Sequence, residues 1–149
     1  MSRKPLRRPL SRSHIRLSGC RPACRVALAV VDRAKQVAII GAGGPVGLLH
    51  QQLALRAGAS QVIATEQSEK RLDVARKLGA TTALNTQSQD FVQAVRDLTE
   101  GYGADVVIEC AGTKLAWETA VESVRRGGRV LWFGGLPAGT KVEVDATRV

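Results

Sequence analysis

The stretch Val37-Ala-Ile-Ile-Gly-Ala-Gly-Gly-Pro-Val-Gly47 decides the fold of this 149-residue chain. Val37–Ile40 is a short apolar run, which is typical of a strand buried on both faces. A turn from Gly41 to Gly47 follows it, and residues 48–57 then show apolar side chains near helical spacing, with Gly58 as the stop. A strand, a glycine turn and a helix in this order form the first unit of an α/β fold.

The alternation of strand and helix continues along the chain. Further strands are predicted at residues 61–65, 81–84, 104–108 and 129–133, and further helices at about 68–78, 89–99 and 117–124. Short connections of this kind keep successive strands parallel, and right-handed crossovers place helices on both faces of the sheet. We therefore predict an α/β fold with a doubly wound parallel sheet of about five strands.

The glycine turn has the features that a dinucleotide pyrophosphate requires. Backbone N–H groups at a helix N-terminus bind that group, and glycines leave no Cβ atoms to block its approach. Glu66 ends the second predicted strand, 19 residues beyond Gly47, where its carboxylate can accept hydrogen bonds from the adenosine ribose. An anion there repels a 2′-phosphate, which favours NAD(H) over NADP(H). Arg71 leaves NADP open, because it could pair with a 2′-phosphate, stack on adenine or simply be a surface charge. No Gly-Lys-Ser/Thr follows the glycines, which argues against a P-loop NTPase.

The charge of the chain is concentrated at its start. Residues 1–31 hold eight Lys and Arg and no acid, whereas residues 32–149 hold fourteen against thirteen acids. We predict a basic leader over residues 1–34, disordered with a short helix near its end, and a dinucleotide-binding domain over residues 35–149. The leader is interpreted as a transit peptide, as an arm that contacts phosphate backbones, or as a segment without function. The near-neutral body makes nucleic acid an unfavoured partner.

Cysteine and histidine are too few and too scattered for a disulfide scaffold or a zinc site. Three cysteines, Cys20, Cys24 and Cys110, and two histidines, His14 and His50, are present. No metal ligand is predicted in this chain, because a zinc site needs about four close ligands. No run approaches the roughly 18 apolar residues of a membrane span. We expect a cytoplasmic protein with reduced thiols, with organellar import by the leader as the alternative.

Five segments in one order carry a resemblance to a known family. They are residues 37–50 with the glycine turn, Val62-Ile-Ala-Thr-Glu66, Arg71-Leu-Asp-Val-Ala-Arg-Lys-Leu-Gly-Ala80, Gly103-Ala-Asp-Val-Val-Ile-Glu109 and Gly127-Gly-Arg-Val-Leu-Trp-Phe-Gly134. Over residues 36–145 the chain resembles the cofactor-binding Rossmann domain of zinc-type medium-chain alcohol dehydrogenases, in particular the polyol and threonine dehydrogenase branch. The resemblance implies NAD(P) binding and hydride transfer between nicotinamide and an alcohol or carbonyl, usually with a catalytic zinc.

The resemblance also implies further positions of a cofactor site. Pro45 and Val46 correspond to positions at the pyrophosphate, Cys110 and Ala111 to the adenosine side, and residues 134–136 to the nicotinamide side. Packing is the alternative role for Cys110. His50 is expected to pack or to face solvent, and Trp117 and Trp132 are expected to lie in the core or to face a partner. The predicted cofactor-binding residues are therefore Gly41, Gly43, Gly44, Pro45, Val46, Gly47, Glu66, Arg71, Cys110, Ala111, Gly134, Gly135 and Leu136.

The turn departs from the family pattern by one residue. The family turn is Gly-x-Gly-x-x-Gly, whereas this chain has seven residues from Gly41 to Gly47. Counted back from Glu66, Gly47 is in the family register, so the extra residue is Gly43 or Gly44. It either bulges outward harmlessly or displaces an amide from the pyrophosphate. Deletion of one of these glycines is expected to preserve or tighten NAD binding.

A second departure concerns catalysis. In the family, the zinc-bearing catalytic domain precedes the cofactor domain and returns after it, whereas here only the leader precedes it and the sixth strand is missing. We therefore predict no catalytic residue and expect a fragment that is inactive alone. The alternative function is a non-catalytic nucleotide-binding module that acts through a partner. The unpaired edge of the fifth strand predicts self-association.

Overall fold

The structure, a computed structural model, describes residues 30–31, 34 and 36–148. Within them, the strands are β1 (Gln36–Ile40), β2 (Gln61–Glu66), β3 (Thr82–Asn85), β4 (Ala104–Glu109) and β5 (Val124–Trp132). The helices are α1 (Pro45–Arg56), α2 (Glu69–Lys77), α3 (Phe91–Leu98) and α4 (Lys114–Ser123), followed by a short 3-10 helix, Ala146–Arg148. Each strand and helix predicted between residues 36 and 133 is present. No helix among the described residues is long and apolar enough to cross a membrane.

The five strands form one sheet in the order β3-β2-β1-β4-β5, and every pairing is parallel. The chain moves outward from β1 to β3 and then returns to place β4 on the other side of β1. This reversal opens a crevice at the carboxyl ends of β1 and β4. The predicted α/β fold with a doubly wound parallel sheet is confirmed.

Alternate residues of the central strands supply two cores, one on each face of the sheet. Val37 and Ile39 belong to one core, which includes side chains of α1 and α2. Ala38 and Ile40 belong to the other, which includes side chains of α3 and α4. Successive residues of a strand point to opposite faces, so a strand covered on both sides is apolar throughout. This explains the unbroken apolar run of β1.

The described end of the predicted leader contributes to the first core. Val31 and Ala34 are 0% and 4% exposed and pack in the same cluster as Val37. Val30 and Val31 are helical, and the other predicted leader residues, apart from Ala34, lie outside the described part of the chain. The division of the chain at residue 34 stays a prediction.

Two elements begin earlier than the sequence pattern predicts. Helix α4 begins at Lys114, because the Thr113 side chain accepts a hydrogen bond from the N–H of Ala116 at 3.1 Å and caps the helix. Strand β5 begins at Val124, because Val124 pairs with Ala104 before an irregularity shifts the register to Val106 and Arg129. The intervening Arg-Arg-Gly-Gly has no apolar pattern that would have predicted a strand.

Candidate functional site

The turn between β1 and α1 is fixed at both ends. The N–H of Ala42 donates to the carbonyl oxygen of Thr65 in β2 at 2.9 Å, and Gly44 donates to Gly41 at 3.3 Å. Gly41 has a φ of +73°, which favours glycine. A Cβ on Gly47 would collide with the Gly41 carbonyl oxygen and lie 2.6 Å from Ala42 Cα. The glycines therefore let α1 begin directly against the end of β1.

The N-terminus of α1 presents backbone N–H groups without helical partners. The helix begins at Pro45, with Gly44 as its N-cap. Leu48 donates to the carbonyl oxygen of Gly44 at 2.9 Å. The N–H groups of Val46 and Gly47 come before this bond and have no acceptor within the helix. They carry the partial positive charge of the helix dipole, so this terminus fits a phosphate group.

The ends of β1 and β4 meet at the crevice. Cys110 donates its N–H to the carbonyl oxygen of Ile40 at 2.9 Å, and a Cβ on Gly41 would lie 3.1 Å from the nitrogen of Ala111. A cavity of about 670 Å³ adjoins this contact, within the roughly 300–1,000 Å³ typical of small-molecule sites. Its wall combines the ends of β1, β2 and β4 with the starts of α3 and α4.

The cavity brings together six of the thirteen predicted cofactor-binding residues. These are Gly41, Gly44, Glu66, Arg71, Cys110 and Ala111. Gly43, Pro45, Val46 and Gly47 belong to the same turn or to the start of α1 without lining the cavity, and Gly134, Gly135 and Leu136 follow β5. The part that each of the thirteen plays in binding stays a prediction.

The sequence pattern did not single out the part of the wall that comes from α3, α4 and the loop after β3. All loops that follow the strands of a parallel sheet gather at one edge. That rule could have predicted these wall residues from the sequence, because Thr86 directly follows β3 and Asp90 caps α3. The added wall residues are Gln67, Thr86, Gln89, Asp90, Phe91, Val92, Thr113, Leu115, Ala116 and Thr119, together with Ile40 and Thr65.

Glu66 and Arg71 place opposite charges at the cavity wall. Oε1 of Glu66 accepts the N–H of Gln67 at 2.8 Å, and Oε2 lies 3.8 Å from Nη1 of Arg71. The Glu66 side chain is 12% exposed, whereas that of Arg71 is 63% exposed. Such an ion pair, open to water on one side, contributes little to stability. Its significance is the charge that it offers to a ligand.

Glu109, the last residue of β4, is a structural centre of the site that sequence reasoning missed. Its side chain is 0% exposed. Oε1 accepts the N–H groups of Ala111 at 2.6 Å and Gly112 at 2.7 Å, and the main-chain oxygen of Glu109 accepts those of Phe133 and Gly134, both at 2.9 Å. Glu109 therefore joins the loop after β4 to the loop after β5.

Burial raises the pKa of Glu109, and this effect exceeds the opposing effect of the backbone N–H donors. Oε2 has no hydrogen-bond partner within the described residues and faces Gly134, where a Cβ would approach it to 2.7 Å. The nearby indole N–H of Trp117 donates instead to the carbonyl oxygen of Gly134 at 2.9 Å. One carboxyl oxygen is thus fully used and the other is buried without a donor.

The half-buried Cys110 side chain lies against the buried His50 ring. Sγ of Cys110 lies 3.7 Å from Nδ1 of His50, which is 2.9 Å from the carbonyl oxygen of Val46. The His50 ring meets Phe133 edge to face at 4.6 Å. Burial lowers the pKa of His50, and burial followed by the charge of Glu109 raises the pKa of Cys110 to about 12. The thiol therefore stays protonated near neutral pH, and both side chains have packing contacts.

The described residues do not fit a zinc ion. No group of three or more His, Cys, Asp and Glu in that part of the chain could hold a metal ion. His14, Cys20 and Cys24 lie outside it. The N–H groups at the start of α1, which have no acceptor within the helix, and the adjoining cavity fit a dinucleotide instead.

Four features define a dinucleotide-binding domain. They are a doubly wound sheet, a glycine turn at a helix N-terminus, an acid at the end of β2 and a cavity at the point where the strand order reverses. Residues 45–149 match the family described as zinc-binding dehydrogenase. The chain belongs to the zinc-binding dehydrogenase family and is an NAD(P)-binding domain of that family. The resemblance seen in the sequence motifs is confirmed.

Similar proteins include dehydrogenases with different substrates in their names. An L-threonine 3-dehydrogenase from Caldanaerobacter subterraneus subsp. tengcongensis is 40% identical over 113 residues, which are 76% of this chain and 32% of the relative. A sorbitol dehydrogenase from Bacillus subtilis is 38% identical over 109 residues, which are 73% of this chain and 30% of the relative. This chain thus spans about a third of the length of these curated relatives.

Solved structures show the same fold. A protein described as a zinc-binding dehydrogenase from Sinorhizobium meliloti 1021, bound to NADP, superposes with a TM-score of 0.76 at 34% identity. The alignment covers 85% of this chain and 38% of that one.

Proposed function

We propose that this chain binds NAD(H) and serves as the cofactor half of an oxidoreductase that acts on a small alcohol, polyol or amino alcohol. The observation that carries this proposal is the start of α1, where the N–H groups of Val46 and Gly47 have no acceptor within the helix and follow Gly41 and Gly44, which line the cavity. Family membership supports it, and the curated relatives are named for threonine and sorbitol as substrates.

Three regions of the site bind three parts of a dinucleotide. The amides at the start of α1 bind the pyrophosphate. The adenosine occupies the cavity, between the Glu66–Arg71 wall and the first turns of α3 and α4. The nicotinamide extends toward residues 134–136, in the loop that Glu109 fixes. The bound cofactor supplies a hydride acceptor or donor, and the described residues bind and orient it.

The anion at Glu66 favours NAD(H), because it repels a 2′-phosphate. NADP(H) is the second ligand of the proposal for two reasons. The Arg71 guanidinium is 63% exposed at the same wall, and the relative from Sinorhizobium meliloti was solved with NADP. We assign catalytic groups and any zinc ligands to parts of the enzyme other than the described residues.

Titration of the chain with NADH, followed by nicotinamide fluorescence and by thermal unfolding, tests the proposal. We expect saturable binding and a raised Tm, since a ligand at about a hundred times its Kd stabilises the native state by about 2.7 kcal/mol. Val46→Pro removes one amide at a helix position that tolerates proline, and it should weaken binding about tenfold. Lys70→Pro, at the equivalent position of α2, is the matched control. Well-folded protein that responds to neither NADH nor NADPH would refute the proposal.

A further inference from the structure

Gly43 packs directly on the carboxylate at the end of β2. A Cβ built on Gly43 would lie 2.8 Å from Oε2 and 2.9 Å from Cγ of Glu66, and it would collide with Cβ of Arg71. The neighbouring Gly44 has only the Gly41 carbonyl oxygen nearby, at 3.7 Å from its Cβ position. Gly43 is therefore the turn residue that extends toward α2 and covers Glu66.

The anchors of the turn explain this direction. The bond from Ala42 to Thr65 holds one end against β2, and the contact between Gly47 and the Gly41 carbonyl oxygen holds α1 against β1. The turn contains more backbone than is needed to span the distance between these anchors. The excess backbone must bulge outward, and here it bulges toward Glu66.

A ribose hydroxyl needs an oxygen of that carboxylate at about 2.7 Å, with the sugar ring behind it. On the side of the turn, Gly43 lies so close that a Cβ added to it would come within 2.8 Å of Oε2, which leaves no room for a sugar between Gly43 and the carboxylate. Oε1 already accepts the N–H of Gln67, Oε2 faces Arg71, and only 12% of the Glu66 side chain is exposed. The acid that should bind the ribose is thus largely covered by the chain itself.

We infer that Gly43 limits the affinity of this chain for adenine dinucleotides, because its backbone covers the Glu66 carboxylate that the adenosine ribose would contact. The inference rests on the proposed NAD(H) binding. The turn must move away from Glu66 before the ribose hydroxyls can reach the carboxylate. The observed affinity is then the intrinsic affinity multiplied by the fraction of molecules in which the turn has moved away. A turn shortened by Gly43 spans the same anchors without reaching Glu66.

A double-mutant cycle tests this with ADP-ribose and NADH as probes in calorimetry. The four proteins are the full chain, Glu66→Ala, the deletion of Gly43, and the two changes combined. We expect the deletion to tighten binding of both probes about fivefold or more. Glu66→Ala should lower affinity about tenfold in the deletion background, because hydrogen bonds to a charged acceptor are then made, but threefold or less in the parent chain. Deletion of Gly139, a glycine with no atom near its Cβ position, is the control.

Each outcome is decisive. Equal losses from Glu66→Ala in both backgrounds, or a deletion that leaves binding unchanged or weaker, overturns the inference while the proposed function stands. Binding of NADH by the deletion variant and not by the parent chain supports the inference but refutes the proposed binding by the chain as it stands, and binding by neither protein refutes both. If circular dichroism shows that the deletion variant does not fold, the effect of Glu66→Ala on affinity in the parent chain tests the inference. A loss of about tenfold from Glu66→Ala there overturns the inference, and a loss of threefold or less supports it.

Discussion

A single buried residue, Glu109, connects the two loops that border the crevice on the β5 side. Glu109 accepts four N–H groups, two through Oε1 and two through its main-chain oxygen. Its partners at residues 133–134 are more than twenty positions away in the sequence. A local pattern contains no information on such a bond. The sequence therefore predicted a strand over residues 104–108 but not the role of Glu109, which ends that strand in the structure.

The titration of Glu109 should make stability depend on pH. Folding raises its pKa above the ordinary value of 4.5, so the folded chain holds the proton more tightly than the unfolded chain. Its contribution to the free energy of unfolding is fully present below that ordinary value and is lost as the pH rises through the raised one. Glu109→Gln keeps an acceptor for Ala111 and Gly112 without the titration. We expect the wild type to lose stability relative to this variant as the pH is raised from about 4.

Urea unfolding over a series of pH values measures this difference. Glu122→Gln removes a charge from an exposed position of α4 and serves as the control. A constant difference between the wild type and Glu109→Gln across the series would show that Glu109 titrates alike in the folded and unfolded chains.

Gly47 fixes the approach of α1 to β1, and its replacement should destabilise the fold. An alanine Cβ there would collide with the Gly41 carbonyl oxygen and crowd Ala42. We expect Gly47→Ala to cost about 1–3 kcal/mol, as overpacking does. Gly135→Ala, where no atom lies within 4 Å of the added Cβ, should change stability by less than about 0.5 kcal/mol. Chemical unfolding of both variants checks this, and equal effects would contradict it.

At the scale of elements, helix caps decide boundaries that hydrophobic spacing leaves open. Strands and helices between residues 36 and 133 were predictable because apolar spacing records which face each element buries. The start of α4 was not, since it depends on whether the Thr113 hydroxyl finds the N–H of Ala116. Ser68 occupies the same position before α2, and its side chain makes no capping bond. A suitable residue type is therefore not sufficient evidence of a cap.

This contrast gives a matched pair of substitutions. Thr113→Ala removes a capping bond and should lower the free energy of unfolding by about 1 kcal/mol. Ser68→Ala removes a hydroxyl that caps nothing, and we expect a change of less than about 0.5 kcal/mol. Thermal unfolding of the two variants measures both values. A loss at Ser68 as large as that at Thr113 would mean that its hydroxyl caps α2 in solution.

At the scale of the whole molecule, the direction of the extra turn residue shows the limit of sequence reasoning. Counting along the chain establishes that the turn is long, and either Gly43 or Gly44 could carry the excess. Only the placement of β2 and α2 beside the turn decides that Gly43 meets Glu66 and Arg71. The fold therefore followed from local patterns, whereas access to Glu66 depends on how three elements pack together.

The free edge of the sheet should make the chain associate with itself. Strand β5 is last in the strand order, so the backbone groups on its outer side have no neighbouring strand among the described residues. Such an edge is a template for pairing with a second copy. The strand carries three arginines and no acid. Arg125 pairs with Asp105 of β4 at 2.7 Å, and the positive charge that Arg126 adds makes two paired edges repel each other. Salt screens that repulsion, and we expect association to increase with ionic strength.

Light scattering at tens of micromolar protein, in low and in high salt, distinguishes the outcomes. A mass that rises with concentration, and more steeply in high salt, is the expected result. A monodisperse monomer under both conditions would indicate that the segment after β5 shields the edge. The structure shows how that would begin, since the N–H of Glu143 donates to Oε1 of Glu118 in α4 at 2.9 Å and Val144 borders a small cavity beside Trp132.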